Sequence, residues 1–342
     1  MSDARSVRVL RLAIGSTIAM ALAYSINWPL AMLTPVFTVV FLSLPMPRPT
    51  LYQGLKNMAQ TFLAVTIGVI VTLYLLPIPF VFALVLGVLL FHAYYLINRG
   101  GPLWFVLMLL ISLLVMPMLA TIDGRLAVSV SIGFVWSGGV AVWLIFLAYF
   151  IIPDSQKLAF PKRPPANRGY VPVASDLALK STVIALPITL LFIAYEMSDL
   201  ILIMVNTAIF TLSPDLSKGK AAIKKSITST LIGGVAAYVF YWLLVAVPEY
   251  YFFMLTFFVF SLAFSTRIFS DRSDAKYYSS ALVAMIILFN GSMGEDKDFT
   301  SLFAMRVLLM TLAGVYVIFA LNVLNRYWPY PVKRQQQPTA TN

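Results

Sequence analysis

The chain has no cysteine and a single histidine, His92, among its 342 residues. Disulfides, thiolate metal sites and cysteine nucleophiles are therefore excluded, and one imidazole cannot build a multi-histidine metal centre. Charge is scarce, at 11% of residues, and acidic charge scarcer still, with 13 Asp and Glu against 24 Lys and Arg. No Walker-A loop, HExxH or GxSxG pattern occurs, so nothing supports ATP hydrolysis or the familiar hydrolase chemistries. The expectation is a non-enzymatic protein with no cofactor and no metal.

What the chain has in abundance is hydrocarbon, with 61% of residues hydrophobic. Soluble domains average about half apolar and about a quarter charged. The apolar residues gather into about twelve stretches: 9–25, 28–45, 55–76, 78–97, 102–120, 127–151, 177–195, 198–212, 225–247, 250–269, 278–292 and 302–325. Most approach the length that crosses a bilayer. The expected fold class is an all-α polytopic integral membrane protein with about twelve transmembrane helices.

The gaps between stretches alternate in charge. Arg5, Arg8, Arg11, Arg48, Lys56, Arg99, Lys157, Lys162, Arg163, Arg168, Lys180, Lys218 to Lys225, Arg267, Arg272, Lys276, Arg326, Lys333 and Arg334 fall on one side. Only Arg125 and Lys297 fall on the other, among the acidic residues Asp123, Glu196, Asp199, Glu249, Glu295, Asp296 and Asp298. Basic loops stay in the cytoplasm, which puts both termini there. The net charge of +11 would suggest nucleic acid in a soluble protein. Here it is explained by loops facing anionic headgroups, so the partner is a lipid bilayer and no nucleic acid is expected. Met1 to Arg11 is read as the start of a retained first span rather than a cleaved signal peptide.

The sequence divides into a first six-helix membrane repeat (1–152), a cytoplasmic linker (153–174) holding Lys162-Arg163-Pro164-Pro165, a second six-helix repeat (175–330) and a disordered tail (331–342). The halves echo each other at an offset of about 166–169 residues. Leu10-Arg11-Leu12-Ala13 matches Leu179-Lys180-Ser181-Thr182, and Leu44-Pro45 matches Ser213-Pro214. Basic turns follow (Arg48 to Lys56; Lys218 to Lys225), then small-residue spans (Thr66-Ile67-Gly68; Ile232-Gly233-Gly234). An even number of spans per repeat makes the repeats parallel, with a substrate route near the pseudo-two-fold axis.

Short or proline-interrupted spans at matching positions mark transport sites. Segment two holds Pro29, Pro35 and Pro45 beside Thr34 and Thr38, and segment eight holds Asn206, Thr207 and Thr211 before Pro214. These side chains offer hydrogen bonds to a substrate; the plainer reading is helix-to-helix bonding. Arg306 is the one basic residue well inside a span, about 9 Å from its outer end. It either holds a carboxylate or reaches the outer headgroups or an acid such as Glu295. Arg11 with Lys180, and Lys56 with Lys225, form two pairs around the axis, read either as a cytoplasmic vestibule for anions or as topology anchors. His92 is a proton-relay candidate or a packing residue. Gly15, Ala19 and Ala23, and likewise Ser229, Gly233 and Ala237, form stripes for close helix approach. Trp28, Trp104, Trp242 and Trp328 lie where interfacial belts form.

The Arg11/Lys180 starts, the Trp28-Pro29-Leu30-Ala31-Met32-Leu33-Thr34-Pro35 stretch, the turns through Gly54 and Lys56 and the glycine-containing spans after them resemble the fusaric acid resistance and aromatic acid exporter superfamily. More closely, the chain resembles its compact, membrane-only bacterial branch (the DUF2955-like group). The resemblance covers about residues 5 to 330 and implies a bacterial inner-membrane exporter of aromatic or other organic acids. It also implies a periplasmic membrane-fusion adaptor as partner. Larger members carry cytoplasmic domains after each membrane half, which this chain lacks.

The function expected is a secondary transporter exporting small organic anions on the proton-motive force, with Thr34, Pro35, Thr38, Asn206, Thr207 and Arg306 at the substrate. The alternatives are a passive organic-anion channel and a non-transporting subunit of a multi-component efflux assembly. A homo-oligomer is compatible with either.

Overall fold

The computed structural model describes residues 3–26, 28, 30–44, 50–153, 169–292 and 299–328. Its twelve α-helices are α1 (Asp3–Ile26), α2 (Leu33–Ser43), α3 (Leu51–Leu75), α4 (Pro79–Asn98), α5 (Leu103–Ile122), α6 (Gly124–Ile151), α7 (Pro172–Ala194), α8 (Ile201–Phe210), α9 (Leu216–Ala246), α10 (Tyr250–Ile268), α11 (Ala275–Ser292) and α12 (Phe299–Tyr327). A single 3-10 turn, Ser198–Leu200, precedes α8. Among the described residues nine helices are long and apolar enough to cross a membrane. The chain is a multi-pass, all-helical membrane protein.

The helices sit where hydrophobic periodicity places them, but several begin earlier. α9 starts at Leu216, nine residues before its apolar stretch, so the basic turn Lys218 to Lys225 is helix and not loop. The Asp215 carboxylate caps it by accepting the Ser217 N–H at 3.0 Å. A capping box between Thr50 and Gln53 opens α3 in the same way, making Lys56 helical. Polar caps satisfy the free N–H groups of a first turn, so the helix outlasts its apolar stretch. The linker is likewise shorter than expected, because α7 starts at Pro172.

Segments two and eight are not full spans. α2 has 11 residues and α8 has 10, about 16 Å and 15 Å at 1.5 Å per residue. Each follows an irregular stretch that holds a non-glycine residue in the left-handed region, Leu30 (φ 60) and Glu196 (φ 55). Those are the two such residues among the described ones, and they stand at matching points of the halves. Pro35 is the third residue of α2, where no intrahelical N–H is needed, so it does not interrupt a span as the sequence suggested. The interior prolines are Pro117 in α5 and Pro187 in α7.

Every major packing pair recurs six helices later. α3 against α5 matches α9 against α11, and α2 against α6 matches α8 against α12. Between halves, α4 against α7 matches α10 against α1, and α5 against α8 matches α11 against α2. Glycine drives the tightest pairs. A Cβ on Gly68 would collide with Ser112 of α5, and one on Gly233 with the Ala281 carbonyl of α11 and, at 2.9 Å, with the Ala284 Cβ. The core lies around α2, α5, α8 and α11. α2, α8 and α11 expose no large hydrophobic side chain, and α5 does so only at its ends, through Leu103 and Ile122. The other helices form the outer ring.

Candidate functional site

Polar side chains on the inner helices are buried in apolar surroundings, so their hydrogen bonds decide what each can do. In the first half these bonds close on themselves. The Thr38 hydroxyl donates to the Thr34 carbonyl at 2.8 Å, and the Thr34 hydroxyl to the Ser137 carbonyl of α6 at 3.4 Å. Trp28 Nε1 donates to Ser137 Oγ at 2.9 Å, and that hydroxyl donates to the Leu30 carbonyl at 3.0 Å. Trp28 is thus an internal strut, not a belt residue. So is Trp104, whose Nε1 donates to Thr61 Oγ1 at 3.0 Å and whose ring lies 4.5 Å from that of Phe41. Trp242, at 53% exposure, fits a belt.

The second half is different. Asn206 donates within its helix to the Leu202 carbonyl at 2.8 Å. The Thr207 hydroxyl, on a residue 1% exposed, has no partner among the described residues. A buried hydroxyl without a partner costs about 1–3 kcal/mol, and such a group calls for an explanation. On α12, packed along α8, the Nε of Arg306 is also buried without a partner among the described residues. Arg306 lies at helical spacing with Met310, Ala313 and Val317, all buried. That helix face turns into the bundle, and Arg306 itself is half-buried. Thr207 and Arg306 stand about 9 Å and about 10 Å from the starts of their helices.

α2 and α8 share no substantial packing face among the described residues; α11 lies beside α2 and α5 beside α8. The structure therefore separates Thr34, Pro35 and Thr38 from Asn206, Thr207 and Arg306, and only the second group holds unsatisfied polar atoms.

Arg11 and Lys180 are buried, at 4% and 0% exposure, and neither opens to a vestibule in this conformation. Arg11 Nε donates to the Ile152 carbonyl at 2.9 Å, at the C-terminal end of α6, with its guanidinium 3.9 Å from the Tyr149 ring centroid. Lys180 repeats the arrangement in the second half, with its ammonium 5.6 Å from the ring centroid of Trp328, just past α12. A cation at a helix C-terminus meets the partial negative charge of the last carbonyls. Lys56 and Lys225 are exposed on the second turn of α3 and the third turn of α9. His92 is exposed on α4, with Nδ1 2.7 Å from the Val88 carbonyl.

One polar cluster escaped the sequence reading. Tyr94 OH, fully buried, lies 3.1 Å from Thr211 Oγ1 and donates to the Ala208 carbonyl at 3.2 Å. Ser181 Oγ donates to the Thr211 carbonyl at 2.7 Å, and Asn98 to the Leu212 carbonyl at 3.4 Å. These bonds tie α4, α7 and α8 together. A tyrosine in an apolar stretch carries no sign of which way it faces. Pro29, Pro45, Arg48, Arg168, the linker pair Lys162-Arg163, the acidic group Glu295, Asp296 and Asp298, Lys297, and the tail lie outside the described residues.

A family model described as a protein of unknown function (DUF2955) matches residues 8–148, from α1 to near the end of α6. No curated protein and no solved structure matches the chain.

Proposed function

We propose that the chain is an inner-membrane secondary transporter that exports small organic anions, aromatic acids among them, down the proton-motive force. Arg306 carries this reading. An ionisable side chain within an apolar helix is costly and usually faces a cavity or a partner. Here the Arg306 Nε is buried with no hydrogen-bond partner among the described residues. A carboxylate would satisfy it through charge-assisted bonds, and the buried Thr207 hydroxyl on the neighbouring helix supplies a further donor. The resemblance to organic-acid exporters supports the same reading.

Reconstitution of the purified chain in liposomes tests the proposal. Labelled benzoate should accumulate against its gradient when a proton gradient is imposed and should fail to do so with an uncoupler. Absence of transport of any member of an organic-acid panel, with protein folded, would sink it. A passive anion channel is the second reading. It is favoured by one observation: no Asp or Glu lies in the middle of any described helix, so the usual carboxylate relay is lacking. Uncoupler-insensitive flux that only equilibrates would select the channel.

A further inference from the structure

The two seams between the halves are equivalent in position but not in chemistry. The α1–α10 seam is closed by polar contacts. Ser16 and Ser261 hydroxyls lie 2.6 Å apart, Tyr250 OH reaches Ser25 Oγ at 2.8 Å, and Arg8 covers the Phe269 ring at 4.3 Å. Among the described residues the side-chain hydrogen bond at the α4–α7 seam is the one from the Val171 N–H, at the N-cap of α7, to Tyr95 OH, and none joins the two helices along their length. There a groove of about 500 Å³ opens to the surrounding bilayer, walled by Leu84, Gly87 and Val88 on α4 and by Leu179, Val183 and Leu186 on α7. His92 adds little polarity to it, since one ring nitrogen is engaged by the Val88 carbonyl.

A ladder of side chains leads from this groove to the basic end of the molecule. The Phe91 ring, in the groove wall, stacks on Tyr95 at 6.2 Å and 11°. Tyr95 is held by accepting the Val171 N–H at 3.1 Å, and the Arg99 guanidinium lies 5.5 Å from its centroid. Arg99 Nε is buried without a hydrogen-bond partner among the described residues. The groove lies about 10 to 24 Å inward from Arg99 along α4, at 1.5 Å per residue, within the roughly 30 Å hydrocarbon core.

We propose that the α4–α7 seam binds one anionic phospholipid, with an acyl chain in the groove and the phosphate at Arg99. An apolar groove below a guanidinium whose Nε has no partner among the described residues matches a lipid's chain and charge together. A free anion would leave the groove unexplained, and a lipid without phosphate, such as a diacylglycerol, would leave the Arg99 Nε without a partner. Arginine is the preferred partner of phosphate because its donors meet two oxygens at once. A basic pocket between helices on the cytoplasmic side is the expected form of such a site. The proposal does not depend on transport.

The test is native mass spectrometry of the full chain in detergent, titrated with palmitoyl-oleoyl phosphatidylglycerol or with palmitoyl-oleoyl glycerol, which has the same chains and no phosphate. One phosphatidylglycerol per chain should bind in preference to the diacylglycerol. Arg99→Gln should weaken phosphatidylglycerol about tenfold and leave the diacylglycerol unchanged. Val88→Trp, which fills the groove from its exposed wall, should weaken both; Leu84→Trp serves if that variant does not fold. Unaltered phosphatidylglycerol binding in the Arg99 and groove variants would overturn the proposal. So would full displacement of the lipid by inorganic phosphate, which would reveal a simple anion site. A dimer lost in Val88→Trp with lipid binding intact would show a second copy of the chain as the occupant and overturn it as well.

Discussion

Thr38 and Thr207 are the same residue at matching points of the two halves, yet only Thr38 has a partner for its hydroxyl. The difference assigns different work to identical side chains. Thr207→Val should raise KM for the transported anion, while stability holds or rises by up to about 1 kcal/mol, because it removes a buried unsatisfied hydroxyl. Thr38→Val should leave KM unchanged. Proteoliposome uptake and thermal unfolding read both effects, and equal KM shifts would return the two halves to equal standing. Arg306→Ala should reduce carboxylate transport about ten- to a hundredfold, the loss of a charge-assisted contact, with the protein still folded. Unchanged uptake would make Arg306 a structural residue. The sequence marked all three positions, since an arginine in an apolar stretch and polar residues on short stretches are visible there. Which hydroxyl lacks a partner depends on neighbours far along the chain, such as Ser137 for the α2 network.

At the scale of elements, glycine and backbone conformation carry more than polar contacts. Gly68→Val should destabilise by about 1–3 kcal/mol through overpacking, since its Cβ meets Ser112 across the α3–α5 contact, and Gly233→Val should do the same at α9–α11. Melting temperatures in detergent would show both drops; a neutral result would mean that these pairs can spread at no cost. Glu196 is exposed and left-handed, a conformation costing an L-residue about 1–2 kcal/mol. Glu196→Gly should therefore hold or raise the melting temperature, whereas Glu196→Val should lower it. The glycine stripes were legible as close-packing faces. The length of α8 was legible in part, since polar residues flank it, whereas that of α2 was not, because Trp28, Leu30, Ala31 and Met32 before it are as apolar as the helix and the left-handed Leu30 lies in the irregular stretch that precedes it.

Across the whole molecule, packing pairs recur six helices apart, as a duplicated unit would give. The absence of native cysteine makes sidedness directly measurable. Single cysteines replacing exposed Lys56 or Arg272 should react from the cytoplasmic side only, and those replacing Arg125 or Glu249 from the opposite side only. Labelling of Lys56→Cys and Arg125→Cys from one compartment would break the topology. Composition, the spacing of apolar stretches and the alternation of loop charge were enough to place twelve helices, because crossing a bilayer is a constraint on each segment alone. The separation of α2 from α8, the lack of a partner for Thr207 Oγ1 and Arg306 Nε among the described residues and the difference between the two seams were decided only by tertiary packing. Those properties depend on which faces meet, and in a chain where nearly every face is apolar the sequence does not distinguish a face against protein from a face against lipid.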